Sequence, residues 1–214
     1  MDVNIIGKWM NDTVLYLARI LGACGSSVLI RDYTRDKLLA ACMPKVKGID
    51  PGEDVLDYAG IGYTYSRNSS EKYDTCIRLY DYNRLPDNEE NLTLVVADES
   101  KAVADALNSM DWSDFTDAGT KVVLLVKYYT GTVRNQFAQL EKNAGIKKSF
   151  GIPLNKQDMK CAILAENNDS FVFTGITDDY KEFFYDFIRI VSDSDMSEKE
   201  AKKIFEKAAK GGKR

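Results

Sequence analysis

Residues 7–25 read GKWMNDTVLYLARILGACG and follow the short apolar run Val3-Asn4-Ile5-Ile6. A strand, a glycine-lysine turn and a long amphipathic helix is the order in which a phosphate-binding loop is built. In the helix, expected over 11–24, Val14, Leu15, Leu17, Ala18, Leu21 and Cys24 recur at three- and four-residue spacing. Asn11 or Asp12 is placed to cap its start and Gly25 to stop it. The loop itself departs from the pattern. Trp9 and Met10 stand where such loops hold glycines, and Asp12 where they hold a lysine.

Outward from this stretch, strands and helices alternate. Val28-Leu29-Ile30 is a second strand ending at Arg31-Asp32, and 35–43 a short helix. Tyr63–Tyr65 reads as a short edge strand and Arg67–Lys72 as a polar loop. Strands at 75–80, 92–97 and 121–126 follow, two of them continuous apolar runs of the kind buried parallel strands carry. Helices are expected over 99–110, 132–143, 155–165 and 178–191, with a further strand opening at Phe150. A last helix over 197–209 opens with Ser197 and Glu200, the spacing of a capping box. Alternation of this kind predicts a three-layer, doubly wound, mostly parallel α/β sheet whose ligands bind at the strand carboxyl ends. Gly7-Lys8, Asp32 and Asp81 would converge there. The expected organisation is an α/β domain over 1–195 and a basic C-terminal helix or tail over 196–214.

Composition narrows the function. At 214 residues and 44% hydrophobic, the chain buries a sizeable core in one domain. The net charge of -4 divides into +4 on residues 198–214 and -8 on the rest, which argues against a dedicated nucleic-acid binder. There is no histidine, so Ser-His-Asp and Cys-His catalysis are excluded. The four cysteines, Cys24, Cys42, Cys76 and Cys161, form no CxxC pair and suggest no zinc site. Cys24 and Cys76 read as small buried hydrophobes, and the pattern fits a reducing cytoplasm. MDVNIIGKW has neither a basic leader nor a long apolar run, so no signal peptide is expected. No run approaches the length of a membrane span.

The succession IIGKWMNDTVLYLARILGACGSSVLIRDYTRD, KYDTCIRLYD, NLTLVVADESKAVADAL, TKVVLLVKYYTGTV and SFGIPLNKQD, over residues 2–191, resembles the ParA/MinD family of deviant Walker NTPases. The resemblance implies a P-loop NTPase fold of the SIMIBI type. It implies nucleotide-binding positions at Gly7, Lys8, Asn11, Asp12 and Thr13. Lys8 would be the signature lysine that reaches across a dimer, and Thr13 the magnesium-ligating hydroxyl. Asp32 would be the aspartate that positions water, so Lys8 and Asp32 are the catalytic candidates. Each landmark departs from the family. The loop is one residue short, Thr34 replaces a second aspartate, and the Walker-B-like aspartate falls on Leu79, with Asp81 two residues late. Thr13 and Asp81 are therefore the metal candidates. Arg78, in mid-strand, reads as half of an ion pair.

The damaged landmarks beside intact core elements imply a catalytically degenerate member with no cofactor expected, Asn11-Asp12 now capping the helix. The resemblance to TadZ/CpaE-like members implies a cytoplasmic positioning or assembly scaffold. It would form a homodimer and bind protein partners of a pilus or secretion machine. The alternative is an unorthodox ATPase with ATP and magnesium, or a nucleotide-switched partition protein. The tail at 197–214, where Ile204, Phe205 and Ala208 are flanked by lysines, invites weak contact with an anionic membrane at its inner face. No specific nucleic acid is expected.

Overall fold

The opening stretch folds as strand, turn and helix. In the computed structural model β1 (Asp2–Gly7) leads into α1 (Asn11–Ala23) and β2 (Val28–Asp32). The structure describes residues 2–8, 10–43, 48–66, 73–86, 92–117, 119–129, 136–167, 173–192 and 195–211. A 3-10 turn (Leu38–Cys42) follows β2, in place of the short helix expected over 35–43. Then come β3 (Leu56–Tyr58), β4 (Ile61–Thr64), β5 (Thr75–Tyr80) and β6 (Leu92–Asp98). Helices α2 (Lys101–Asn108) and α3 (Ser113–Asp117) precede β7 (Val122–Tyr128), α4 (Ala138–Asn143) and β8 (Lys148–Pro153). The chain continues through α5 (Lys156–Asn167), α6 (Asp178–Val191) and α7 (Glu198–Gly211). The polar loop expected at 67–72 and the start of the helix expected at 132–143 lie outside the described residues.

The sheet has eight strands in the order β3-β4-β2-β5-β1-β6-β7-β8. All neighbours are parallel except β3 and β4. The tyrosine-rich strand expected at the edge is instead the interior strand β4. It pairs with β2 on one side, and on the other Leu56 of β3 registers with Tyr63. From β1 the chain first runs outward to β2 and returns through β5, then crosses to β6 on the other side, so the strand order reverses between β1 and β6. Crevices at the carboxyl ends of strands at such a point hold ligands in open α/β sheets.

Helices cover both faces. Isoleucines and valines of the central strands meet α1 and α6 on one face, and α2, α3 and α4 on the other, with α7 packed on α1 and α6. α1 is buried around most of its circumference, Tyr16 and Ile20 as well as the expected stripe, because α7 packs on the side away from the sheet. Tyr16 meets the rings of Phe173, Tyr180 and Phe184 edge-on. The capping box of α7 forms: Glu200 N donates to Ser197 Oγ at 3.3 Å and Ser197 N donates to Glu200 Oε2 at 2.9 Å. The helix buries Ala201, Phe205 and Ala208, and Lys207 Nζ donates to the Ala23 carbonyl at 2.7 Å. The apolar stripe of the basic tail is thus spent on the core, where a buried phenylalanine stabilises by about 1.5–3 kcal/mol.

Two smaller expectations also resolve. Arg78 pairs with Asp2 at 2.7 Å. Cys24 is exposed, because α1 ends one residue before it and turns it outward; Cys42 and Cys161 are the buried thiols. Among the described residues no helix is long and apolar enough to cross a membrane.

Candidate functional site

The carboxyl ends of β1, β6, β7 and β8 surround a cavity of about 390 Å³ that reaches the first turn of α1. Lys8, Asn11 and Asp12 form the α1 side of it, Asp98 and Lys127 close the ends of β6 and β7, and Tyr180 rises from α6. A second, smaller cavity of about 30 Å³ lies toward β5, lined by Gly7, Lys8, Asp32, Thr34 and Asp81. Of the residues picked from the sequence, Asp12 lines the larger cavity, Gly7, Asp32 and Asp81 the smaller, Lys8 and Asn11 both, and Thr13 neither.

Asp12 is the centre of the larger site. Its carboxylate accepts both ways from Lys127 Nζ, at 2.7 Å on Oδ1 and 2.8 Å on Oδ2. Tyr180 donates its hydroxyl to Oδ2 at 3.0 Å. The pair is largely withdrawn from water, the Asp12 side chain being 16% exposed and that of Lys127 12%. Lys127 also sits 5.3 Å from the centre of the Tyr180 ring. The carboxylate stands in the first turn of α1, where the N-terminal amides favour negative charge. A phosphate-binding loop gives that place to the ligand's phosphate and supplies a lysine beside it. Here the carboxylate belongs to the chain, and the lysine arrives from the end of β7.

Thr13 is fully buried, with its Oγ1 2.6 Å from Tyr180 Oη. Either hydroxyl can donate in this contact, and Thr13 Oγ1 also reaches Asp12 Oδ1 at 3.4 Å. Burial, and then the charge of Asp12, push the Tyr180 hydroxyl well above its ordinary value, so it remains a donor. The threonine hydroxyl proposed for magnesium is thus turned into the α1–α6 contact.

Asn11 and Asp12 do not cap α1. Met10 occupies the N-cap position with no side-chain hydrogen bond, and Asn11 and Asp12 are already helical. Their side chains are drawn elsewhere, Asn11 Nδ2 to Cys42 Sγ at 3.3 Å and Asp12 to Lys127. Met10 is turned into the core, 4% exposed. A Cβ on Gly7 would lie 2.6 Å from the Val96 carbonyl oxygen and 3.3 Å from Met10 Sδ. Gly7 therefore serves the close approach of β1 to β6. Trp9, which replaces a loop glycine, lies outside the described residues.

Asp32 has no exposed surface. Its Oδ1 accepts from Thr34 N at 2.9 Å and Thr34 Oγ1 at 2.5 Å, and its Oδ2 from Tyr63 Oη at 3.0 Å. Burial and the Asp32 charge push the Tyr63 hydroxyl up. Lys37, in a left-handed conformation at φ 49°, folds back to donate to the Asp32 and Thr34 carbonyls. Thr34, standing where the family has a second aspartate, thus serves Asp32 as a hydrogen-bond donor. Asp81 accepts from the Arg35 amide at 2.7 Å and pins the same loop. Leu79, at the Walker-B-like position, is buried. Among the described residues no group of three or more Cys, Asp or Glu side chains could hold a metal ion.

The residues present are a poor fit for a magnesium-bound polyphosphate. The first turn of α1 carries a carboxylate of its own in Asp12, the hydroxyl at Thr13 is engaged, and Asp32 holds together its own loop. Lys127 and Tyr180 were not singled out from the sequence. A lysine closing the apolar run VVLLVK, in a chain whose loop has lost its own, was the available signal for Lys127. Tyr180 read only as one of the apolar positions of its helix.

No protein-family model matches the sequence, and no curated protein does. Solved structures do match. The chain superposes on a ParA family ATPase from Chlorobium tepidum TLS with a TM-score of 0.54 at 13% identity, covering 97% of this chain and 96% of that one. It superposes on the MinC:MinD cell division protein complex of Aquifex aeolicus with a TM-score of 0.53 at 13% identity, covering 98% and 95%. At this identity the likeness is one of fold: the chain has the mostly parallel α/β fold of the ParA/MinD P-loop NTPases.

Proposed function

We propose that this protein is a catalytically degenerate ParA/MinD-like protein that works as a positioning or assembly scaffold. The observation that carries the reading is the Asp12–Lys127 pair, which gives the anion-favouring end of α1 an internal anion. The chain then acts as a homodimer that recruits protein partners, those of a pilus or secretion machine, without a hydrolysis cycle. The MinC:MinD structure supports such a use of the fold, since there a protein with this architecture assembles with a partner. The reading is tested by sedimentation and ATPase assay of the purified chain. A dimer whose mass is unchanged by ATP and magnesium, with no turnover, is expected; a strict monomer, or a dimer formed only with ATP, would overturn it.

A second reading follows from the smaller cavity, where Lys8, Asp32 and Asp81 meet. It is an unorthodox magnesium-dependent ATPase using these residues and Thr13. Magnesium-dependent turnover abolished by both Lys8→Ala and Asp32→Ala would establish it in place of the scaffold.

A further inference from the structure

The larger cavity has the size and place of a ligand site but not the chemistry of a polyphosphate site. Its volume, about 390 Å³, lies within the range of about 300–1,000 Å³ that small-molecule sites occupy. Its outer wall is apolar: Ile152, Pro153 and Leu154 leave β8, and Met159 and Ile163 come from α5. Met159 and Ile163 are large apolar side chains left 46% and 53% exposed at its rim. Covering such surface favours any ligand with an apolar body.

The polar floor decides the charge of that ligand. Lys127 lines the cavity with an ammonium of three N–H donors, of which Asp12 takes at most two. Asp12, Asp98 and Asp158 line the cavity against Lys8 and Lys127. An anion would have to share two ammonium groups with three carboxylates. A neutral molecule meets no such competition and needs only one acceptor atom for Lys127.

We propose that this cavity binds a small uncharged organic molecule with an aromatic or aliphatic body and one hydrogen-bond acceptor, seated on Met159 and Ile163 and accepting from Lys127. The proposal rests on the reading that the phosphate end is closed, and it names what the rest of the pocket accepts instead.

The probes are benzamide and benzoate, the same ring with and without charge, and magnesium-ATP, each added to the full chain labelled at its methionine methyls. The Met159 methyl is assigned by Met159→Leu. Benzamide is expected to shift it saturably with a Kd of about a millimolar, as suits about nine heavy atoms. Benzoate should bind at least about tenfold more weakly. Ala162→Phe, which fills the cavity from α5, should abolish the benzamide shift while thermal unfolding shows the fold retained. Equal binding of benzoate, no shift with either probe, or an undiminished shift in Ala162→Phe would overturn the proposal. Magnesium-ATP moving the same methyl would overturn the closed-phosphate reading instead, whatever benzamide does.

Discussion

At the scale of single residues, the proposed loss of nucleotide binding rests on the Asp12–Lys127 pair. Two half-withdrawn charges are stable only together. Lys127→Met leaves the Asp12 carboxylate with only the Tyr180 and Thr13 hydroxyls, and a stability loss of about 2 kcal/mol is expected, within the range for an orphaned polar group. Asp12→Asn should cost less, because the amide oxygen can still accept from Lys127. The double variant should cost less than the two single losses added, with a coupling of about 0.5–3 kcal/mol read from urea unfolding. Strict additivity would show that the pair contributes nothing as a pair. Asp12 could be identified from the sequence as a broken loop lysine, whereas its partner could not. Lys127 lies 115 positions away and meets Asp12 only because β7 comes to lie two strands from β1.

At the scale of elements, the long apolar runs were legible because buried parallel strands leave little ambiguity. β1, β2, β5, β6 and β7 stand where their valines, leucines and isoleucines put them. β3 was not legible, and β4 was read as an edge strand, since strands of three and four residues carry too short a pattern for period two to show what flanks them. α3, five residues long, escaped for the same reason. The start of α1 misled in a different way. Asn11 and Asp12 are favoured caps, but tertiary partners at Cys42 and Lys127 hold their side chains and leave Met10 at the cap. Gly7, which matched the opening of a phosphate motif, is explained by packing. Gly7→Ala would force a Cβ toward the Val96 carbonyl oxygen and shift β1 from β6. A loss of about 1–3 kcal/mol in thermal or urea unfolding is expected, and a neutral result would show that the strands part at little cost.

At the scale of the whole molecule, buried tyrosine hydroxyls give stability a sign with respect to pH. Burial pushes Tyr82 up to about 12, and Tyr63 and Tyr180 are raised as well. Below pH of about 10, the ordinary tyrosine value, folded and unfolded chains both keep these protons and the contribution is whole. Above it the unfolded chain releases protons that the native chain retains, so it binds fewer and stability falls as pH rises. The unfolding temperature should therefore decline between pH 10 and about 12. Tyr82→Phe, which gives up the hydrogen bond to the Val96 carbonyl, should flatten that decline. A flat profile in the parent chain would show that these hydroxyls titrate as freely folded as unfolded.

The same scale carries the functional claim. Helices on both faces, a reversal of strand order at β1 and a cavity at the strand ends make the frame of an open α/β ligand site, and we propose that the Asp12–Lys127 pair stands in for a phosphate there. The direct test is a calorimetric titration of ATP and of ADP, each with magnesium, into the intact protein. The account predicts no heat of binding up to millimolar nucleotide. Micromolar binding of either nucleotide would contradict it, and would mean that Asp12 and Lys127 part to admit a phosphate.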